Sequence, residues 1–109
     1  MNAAAFCEKC GFEPIALPSP EKEVVGAYAG DLLSWVMGRA DSGNVWITIM
    51  SNVNIVAVAT LADVGAILLS EGVKPDEDIV KLANAKGVNI FGTELSSYEA
   101  AVAVSRALE

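Results

Sequence analysis

The sequence predicts an α/β fold, a single layered domain over residues 1–109 with a mainly parallel sheet of about five short strands flanked by helices. Three observations carry that expectation. From Val24 onward, short β-branched runs alternate with stretches of helical period. Apolar residues make up 53% of the chain and aromatic residues only 6%, so the core must be mostly Ala, Val, Leu and Ile, as in helix-over-sheet proteins. A length of 109 residues suffices for one modest core and leaves no room for a second domain.

Residues 1–23 read as a helix and an edge strand. Asn2 is placed to cap the helix, Ala3, Phe6, Cys7 and Cys10 share one face, and Gly11 ends it. Cys7 and Cys10 form a C-x-x-C pair. A redox pair is expected at the start of a helix, and a tetrahedral zinc site needs ligands that one copy of this chain lacks, so burial as small core residues is the simpler reading. Phe12 to Leu17 reads as a strand that Pro14 confines to an edge, and Pro18-Ser19-Pro20 forces an extended connection.

The most specific stretch is Val24 to Ser34, a β-like run turning through Gly26 and Gly30 into a helix from about Asp31 to Met37. Asp31 is expected to accept from free N–H groups of that helix's first turn, and Leu32, Leu33, Val36 and Met37 to face the core. Such a turn exposes backbone donors that suit phosphate or carboxylate, although the glycines equally serve to shape the corner. Gly38 is the expected helix end, and Asp41 to Asn44 a turn.

Val45 to Met50 predicts a central strand, because both of its faces are largely apolar. Ser51 or Asn52 then caps a helix from Val53 to about Asp63, with Val53, Val56, Ala57, Thr60 and Leu61 as its packing stripe. Ala66 to Leu69 predicts a buried parallel strand. Pro75 opens the next helix, Asp76, Glu77 and Asp78 complement its dipole, Ile79, Val80, Leu82 and Ala83 cover the sheet, and Gly87 ends it. Val88 to Gly92 is the last strand. Ser96 and Glu99 form a capping box, followed by a stripe of Tyr98, Ala101, Val102, Ser105 and Leu108.

In open parallel sheets, ligands favour the crevice beyond the strand C-termini. The loops Gly26 to Asp31, Ser51 to Asn54, Ser70 to Lys74 and Gly92 to Ser96 are expected to gather there. Gly26, Tyr28, Gly30, Asp31, Ser51, Asn52, Asn54 and Thr93 are therefore the candidate ligand-binding residues; capping and turn formation account for the same residue types.

Seven basic and fourteen acidic residues give a net charge of −7, without a positive surface to spend on nucleic acid. The absence of histidine removes the commonest general acid–base and excludes a Ser-His-Asp triad. No cofactor and no metal site is implied. The uncharged run from Ser42 to Ala62 is broken by Gly43, Asn44, Ser51, Asn52 and Asn54, which suits strand, loop and helix better than a membrane span. With no basic n-region before an apolar segment, a cytoplasmic location is expected.

The run Gly26-Ala27-Tyr28-Ala29-Gly30-Asp31-Leu32-Leu33-Ser34-Trp35-Val36-Met37, followed by Val45 to Ile49 and Asn54 to Ala59, resembles the small DRTGG-domain proteins. Those are similar to the N-terminal domain of bacterial HPr kinase/phosphorylase. Lys74-Pro75-Asp76-Glu77 and Gly92-Thr93-Glu94-Leu95-Ser96 extend the resemblance to the C-terminus. The five-letter signature is absent, and in its nearest counterpart, Glu23 to Ala27, only Gly26 matches. No phosphate loop of the Gly-x4-Gly-Lys-Ser/Thr type is present, so kinase activity does not travel with the resemblance.

What the resemblance implies is a non-catalytic regulatory or small-ligand-sensing domain, a homodimer, acting as an accessory to a metabolic or redox enzyme system. A nucleotide or small anionic metabolite is the implied ligand class. The alternative is a protein-interaction subunit without a small ligand, contacting its partner through Trp35 or Trp46 and an acidic surface. A small enzyme using Asp31, Tyr28 or a cysteine ranks third.

Overall fold

The computed structural model describes residues 1–109. Helix α1 (Ala3–Cys10) and strand β1 (Glu13–Ala16) precede a regular alternation: β2 (Ala27–Ala29), α2 (Leu33–Arg39), β3 (Val45–Thr48), α3 (Asn54–Ala62), β4 (Ala66–Leu69), α4 (Glu77–Lys86), β5 (Ile90–Gly92) and α5 (Ser97–Ala107). The strands form one five-stranded sheet in the order β1-β5-β4-β3-β2. β2 through β5 are parallel, and β1 closes the sheet antiparallel to β5. The α/β architecture and the strand number thus match the sequence expectation.

Because β2, β3, β4 and β5 follow one another in a single direction, right-handed crossovers send α2, α3 and α4 to the same face. Val36, Ile55, Val58, Ile79 and Ala83 from those helices pack on Trp46, Ile67, Leu69 and Ile90. On the opposite face, Phe6 and Cys7 of α1 and Ala100, Val104 and Ala107 of α5 pack on Val45, Ile47, Leu68 and Phe91. Alternate residues of β3 and β4 feed the two cores, and both strands are buried along their whole length.

The N-terminal segment is integral to the second core. Asn2 caps α1 by accepting from Ala5 N–H, and Gly11 ends the helix in a left-handed conformation. The Phe6 ring lies 5.9 Å from Phe12 and 6.3 Å from Phe91. Pro14 sits in edge strand β1, where the register shifts before Ala16. Buried Asn89 bonds Ser19 N–H and C=O and accepts no orphan role, since its amide also donates to Gly65 C=O. Gly65 itself admits no side chain: a Cβ there would lie 2.9 Å from Gly43 O.

Several local expectations are corrected. The strand is not Val24–Val25 but Ala27–Ala29, because Gly26 takes φ +67° and only beyond it does the chain align with β3. Helix α2 starts at Leu33 and runs through Gly38 to Arg39, leaving Leu32 and Met37 exposed. Pro75 lies outside α4, whose N-cap is Asp76.

The stripes of α3 and α5 have the other phase. α3 buries Ile55, Val56, Val58 and Ala59, while Val53 and Leu61 are 55% and 74% exposed. α5 buries Ala100, Val104 and Ala107, and Tyr98 is 79% exposed. α3 is almost wholly apolar, and the central run Ala100 to Val104 of α5 places small apolar residues on every side, so periodicity admits more than one inward face and the sheet selects it. The capping box of α5 is present, with Ser96 Oγ accepting from Glu99 N–H and the Glu99 carboxylate from Ser96 N–H.

Candidate functional site

The parallel register places the ends of β2 to β5 at one edge, where each chain segment leaves a strand for a helix. At β2, Gly30 N–H donates to Ile47 O, and Gly30 O accepts from the Trp46 indole at 2.8 Å. Tyr28, half-buried in β2, lies over Gly30, where an added Cβ would meet the ring at 3.0 Å. Gly30 therefore serves the packing of Tyr28 and Trp46.

Asp31 does not cap α2. Its Oδ1 accepts from the Thr48 hydroxyl at 2.7 Å and from Ile49 N–H at 3.1 Å, and Thr48 Oγ1 accepts in turn from Met50 N–H. The extended Leu32 between Asp31 and the helix turns the carboxylate back toward the end of β3. Asp31 thus fastens β2 to the β3–α3 turn. In that turn Asn52 Oδ1 accepts from Asn54 N–H, a local turn preceding α3 rather than a side-chain cap on it.

At β4 and β5 the edge is closed by its own hydrogen bonds. The loop after β4 leads to α4 on one face and the loop after β5 to α5 on the other, so the two diverge at a topological switch point. Glu71 N–H donates to Leu95 O, and Gly72 N–H to Thr93 O. The Glu71 carboxylate accepts from Ser97 N–H at 2.8 Å, an internal anion on the first turn of α5. Ser70, fully buried, shares a 2.7 Å hydrogen bond with the Ser97 hydroxyl. Thr93 Oγ1 accepts from Leu95 N–H and is occupied within its own loop.

Sequence reasoning missed two members of this arrangement, Thr48 as the partner of Asp31 and Glu71 as the partner of α5. The signal for Glu71 was the Glu71-Gly72 pair, which takes φ +59° and +72° and folds the carboxylate back over the edge. The edge is acidic: Asp31, Glu71, Asp76, Glu77, Asp78 and Glu94 are exposed along it, and Lys74 is paired with Glu13. No cluster of three metal-ligating side chains forms.

The structure therefore brings Gly30, Asp31, Ser51, Asn52, Asn54 and Thr93 to one edge and separates Gly26 from them. Gly26 precedes β2 and lies at the opposite end of the sheet, where its carbonyl accepts from Val45 N–H and its Cα faces Asn44. There it lines a cleft of about 370 Å³ between β2 and α5, with Ala29, Ile47 and Val104.

Cys7 and Cys10 are free and lie in the last turns of α1. The Cys7 thiol donates to Phe12 O at 3.3 Å, and burial, reinforced by Cys10, raises its pKa to about 11. Burial also raises Cys10. Both thiols stay protonated at neutral pH, at a helix end whose dipole disfavours thiolate, which is the reverse of a redox C-x-x-C. No helix is long and apolar enough to cross a membrane; the uncharged run from Ser42 to Ala62 becomes β3, a turn and α3.

The chain is thus a three-layer α/β/α domain with an acidic strand edge closed in part by its own hydrogen bonds. Residues 19–107 match the family model of the DRTGG domain, and the chain belongs to that family. The chain is also similar in fold to part of a solved structure of the CBS and DRTGG domains of the regulatory region of Clostridium perfringens pyrophosphatase, complexed with activator, diadenosine tetraphosphate: TM-score 0.70 at 18% identity over 98% of this chain. The chain spans 47% of that structure. No curated protein matches the sequence.

Proposed function

We propose that this chain is a non-catalytic regulatory domain that senses a nucleotide or small anionic metabolite, works as a homodimer, and serves a metabolic or redox enzyme system. The observation that supports the reading is membership of the DRTGG family together with a likeness of fold to part of an enzyme's regulatory region whose structure holds a nucleotide activator. The expected similarity to the N-terminal domain of HPr kinase/phosphorylase belongs to the same proposal. Tyr28, Gly30, Asp31, Ser51, Asn52, Asn54 and Thr93 are the residues proposed to face the ligand, at the strand ends. Because carboxylates crowd that edge, the nucleotide is proposed to arrive with its phosphate charge neutralised by magnesium.

The test is a thermal-shift screen of adenine nucleotides, diadenosine tetraphosphate and phosphorylated sugars, each with and without Mg²⁺. A ligand at about a hundred times its dissociation constant adds roughly 2.7 kcal/mol of stability. Asn52→Ala, which removes an exposed side chain with one local bond, is expected to diminish the shift of the active compound. A screen in which no compound moves the melting temperature supports the second reading, a protein-interaction subunit without a small ligand. The exposed apolar surface of α2 and α3 favours that reading.

A further inference from the structure

α3 carries no charged residue, and its outer side is apolar apart from Asn54 and Thr60 at the groove, close to the pattern of a helix covered on all sides. In this chain only its inner half is covered. Val53, Ala57 and Leu61, spaced at i, i+4 and i+8, stand on the outer side, and with Leu82 and Lys86 of α4 they line an open groove of about 490 Å³. Trp35 on neighbouring α2 is 51% exposed, with Arg39 stacked 3.7 Å from its ring, and Leu32 is 55% exposed.

We infer that the outer face of α3 is where a second copy of this chain docks, the two α3 helices packing antiparallel about a twofold axis at Ala57. The inference rests on the proposed homodimer and names its surface. The spacing is self-complementary: with the small Ala57 at the axis, Val53 of each copy faces Leu61 of the other, as an isologous contact requires. Charge agrees with that register. α4 runs beside and parallel to α3, with Glu77 and Asp78 in its first turn and Lys86 in its last. Antiparallel copies therefore set Lys86 of one against Asp78 of the other.

A chain of net charge −7 meets its own copy with least repulsion across an uncharged helix. A stable dimer hides about 800 Å² on each partner, more than one helix face supplies, and Trp35 of α2 and Leu32 just before it extend the apolar surface.

Sedimentation equilibrium of the purified chain, from 1 to about 100 μM, tests the assignment. The wild type is expected to dimerise within that range, and Leu61→Lys and Ala57→Lys to weaken the dimer at least tenfold, with far-UV circular dichroism unchanged. Lys86→Glu and Asp78→Lys alone are each expected to weaken it, and the double charge swap to restore it. Dimerisation that persists unchanged in both Leu61→Lys and Ala57→Lys overturns the surface and leaves the homodimer standing. A wild type that stays monomeric throughout overturns both, while ligand sensing is still judged by the thermal shifts. Loss of the dimer in the single charge variants without recovery in the double swap overturns the antiparallel register.

Discussion

The two helical layers cover the same sheet but meet the solvent differently. α1 and α5 bury Ala3, Phe6, Ala100, Val104 and Ala107 and turn Glu8, Lys9, Glu99 and Arg106 outward. α3 buries Ile55, Val56, Val58 and Ala59 and turns Val53, Ala57, Thr60 and Leu61 outward. The first layer carries charge on its outer side, as does α4 in the second; α3 carries none and turns mostly apolar side chains outward. What this teaches is that the inward faces hold the fold, while the difference between the outward faces bears on association.

The largest effect expected from breaking that contrast is in the first layer. Phe6→Ala removes a fully buried ring between Phe12 and Phe91 and is expected to lower stability by about 3–5 kcal/mol in urea denaturation, equally at every protein concentration. A loss under about 1 kcal/mol would show that α1 is an ornament on the sheet rather than part of its core. Leu61→Lys, by contrast, is expected to lower the midpoint only at concentrations where the wild type associates.

A smaller effect belongs to the entry of α5. Ser96→Ala deletes the hydroxyl that accepts from Glu99 N–H and is expected to cost about 1 kcal/mol, read by the same denaturation. An unchanged midpoint would mean that the layer is held by packing alone.

The smallest effect lies on the surface between the layers and the loops. Lys22 and Ser42 both donate to the Asp63 carboxylate and hold its pKa below the ordinary value. Since the folded pKa is the lower one, the stabilisation is present at pH above the unfolded pKa of about 4. It is lost as pH falls through the folded value. Asp63 takes φ +56°, which Asn tolerates, so Asp63→Asn isolates the charge. The variant is expected to be less stable by under about 1 kcal/mol at pH 7, and the gap to close on acidification below about pH 4. A gap that widens in acid would contradict the assignment.

Much of the fold was legible because its signals are local. The Asn2 cap, Gly11, Gly87 and the Ser96/Glu99 box fix helix ends within a turn of chain, and β3 and β4 announce two-sided burial in their own composition. The candidate site was legible only in part. The order of strands along one edge brought Asp31, Asn52 and Thr93 to the same side, as expected, but Gly26 stands before its strand rather than after it. Asp31 was read as a helix cap because capping is a contact with near neighbours in sequence; its actual partner, Thr48, is a neighbour only through the pairing of β2 with β3.

The sequence by itself determined the α/β class, the alternation of elements and most helix termini, because propensity, capping and turn chemistry act over a few residues. Only the tertiary structure decided the phase of α3 and α5, the partner of Asp31 and the docking of Glu71 on α5. Each depends on which surfaces meet across the sheet, and an apolar helix offers the sheet several equivalent faces until the crossovers on either side of it fix one.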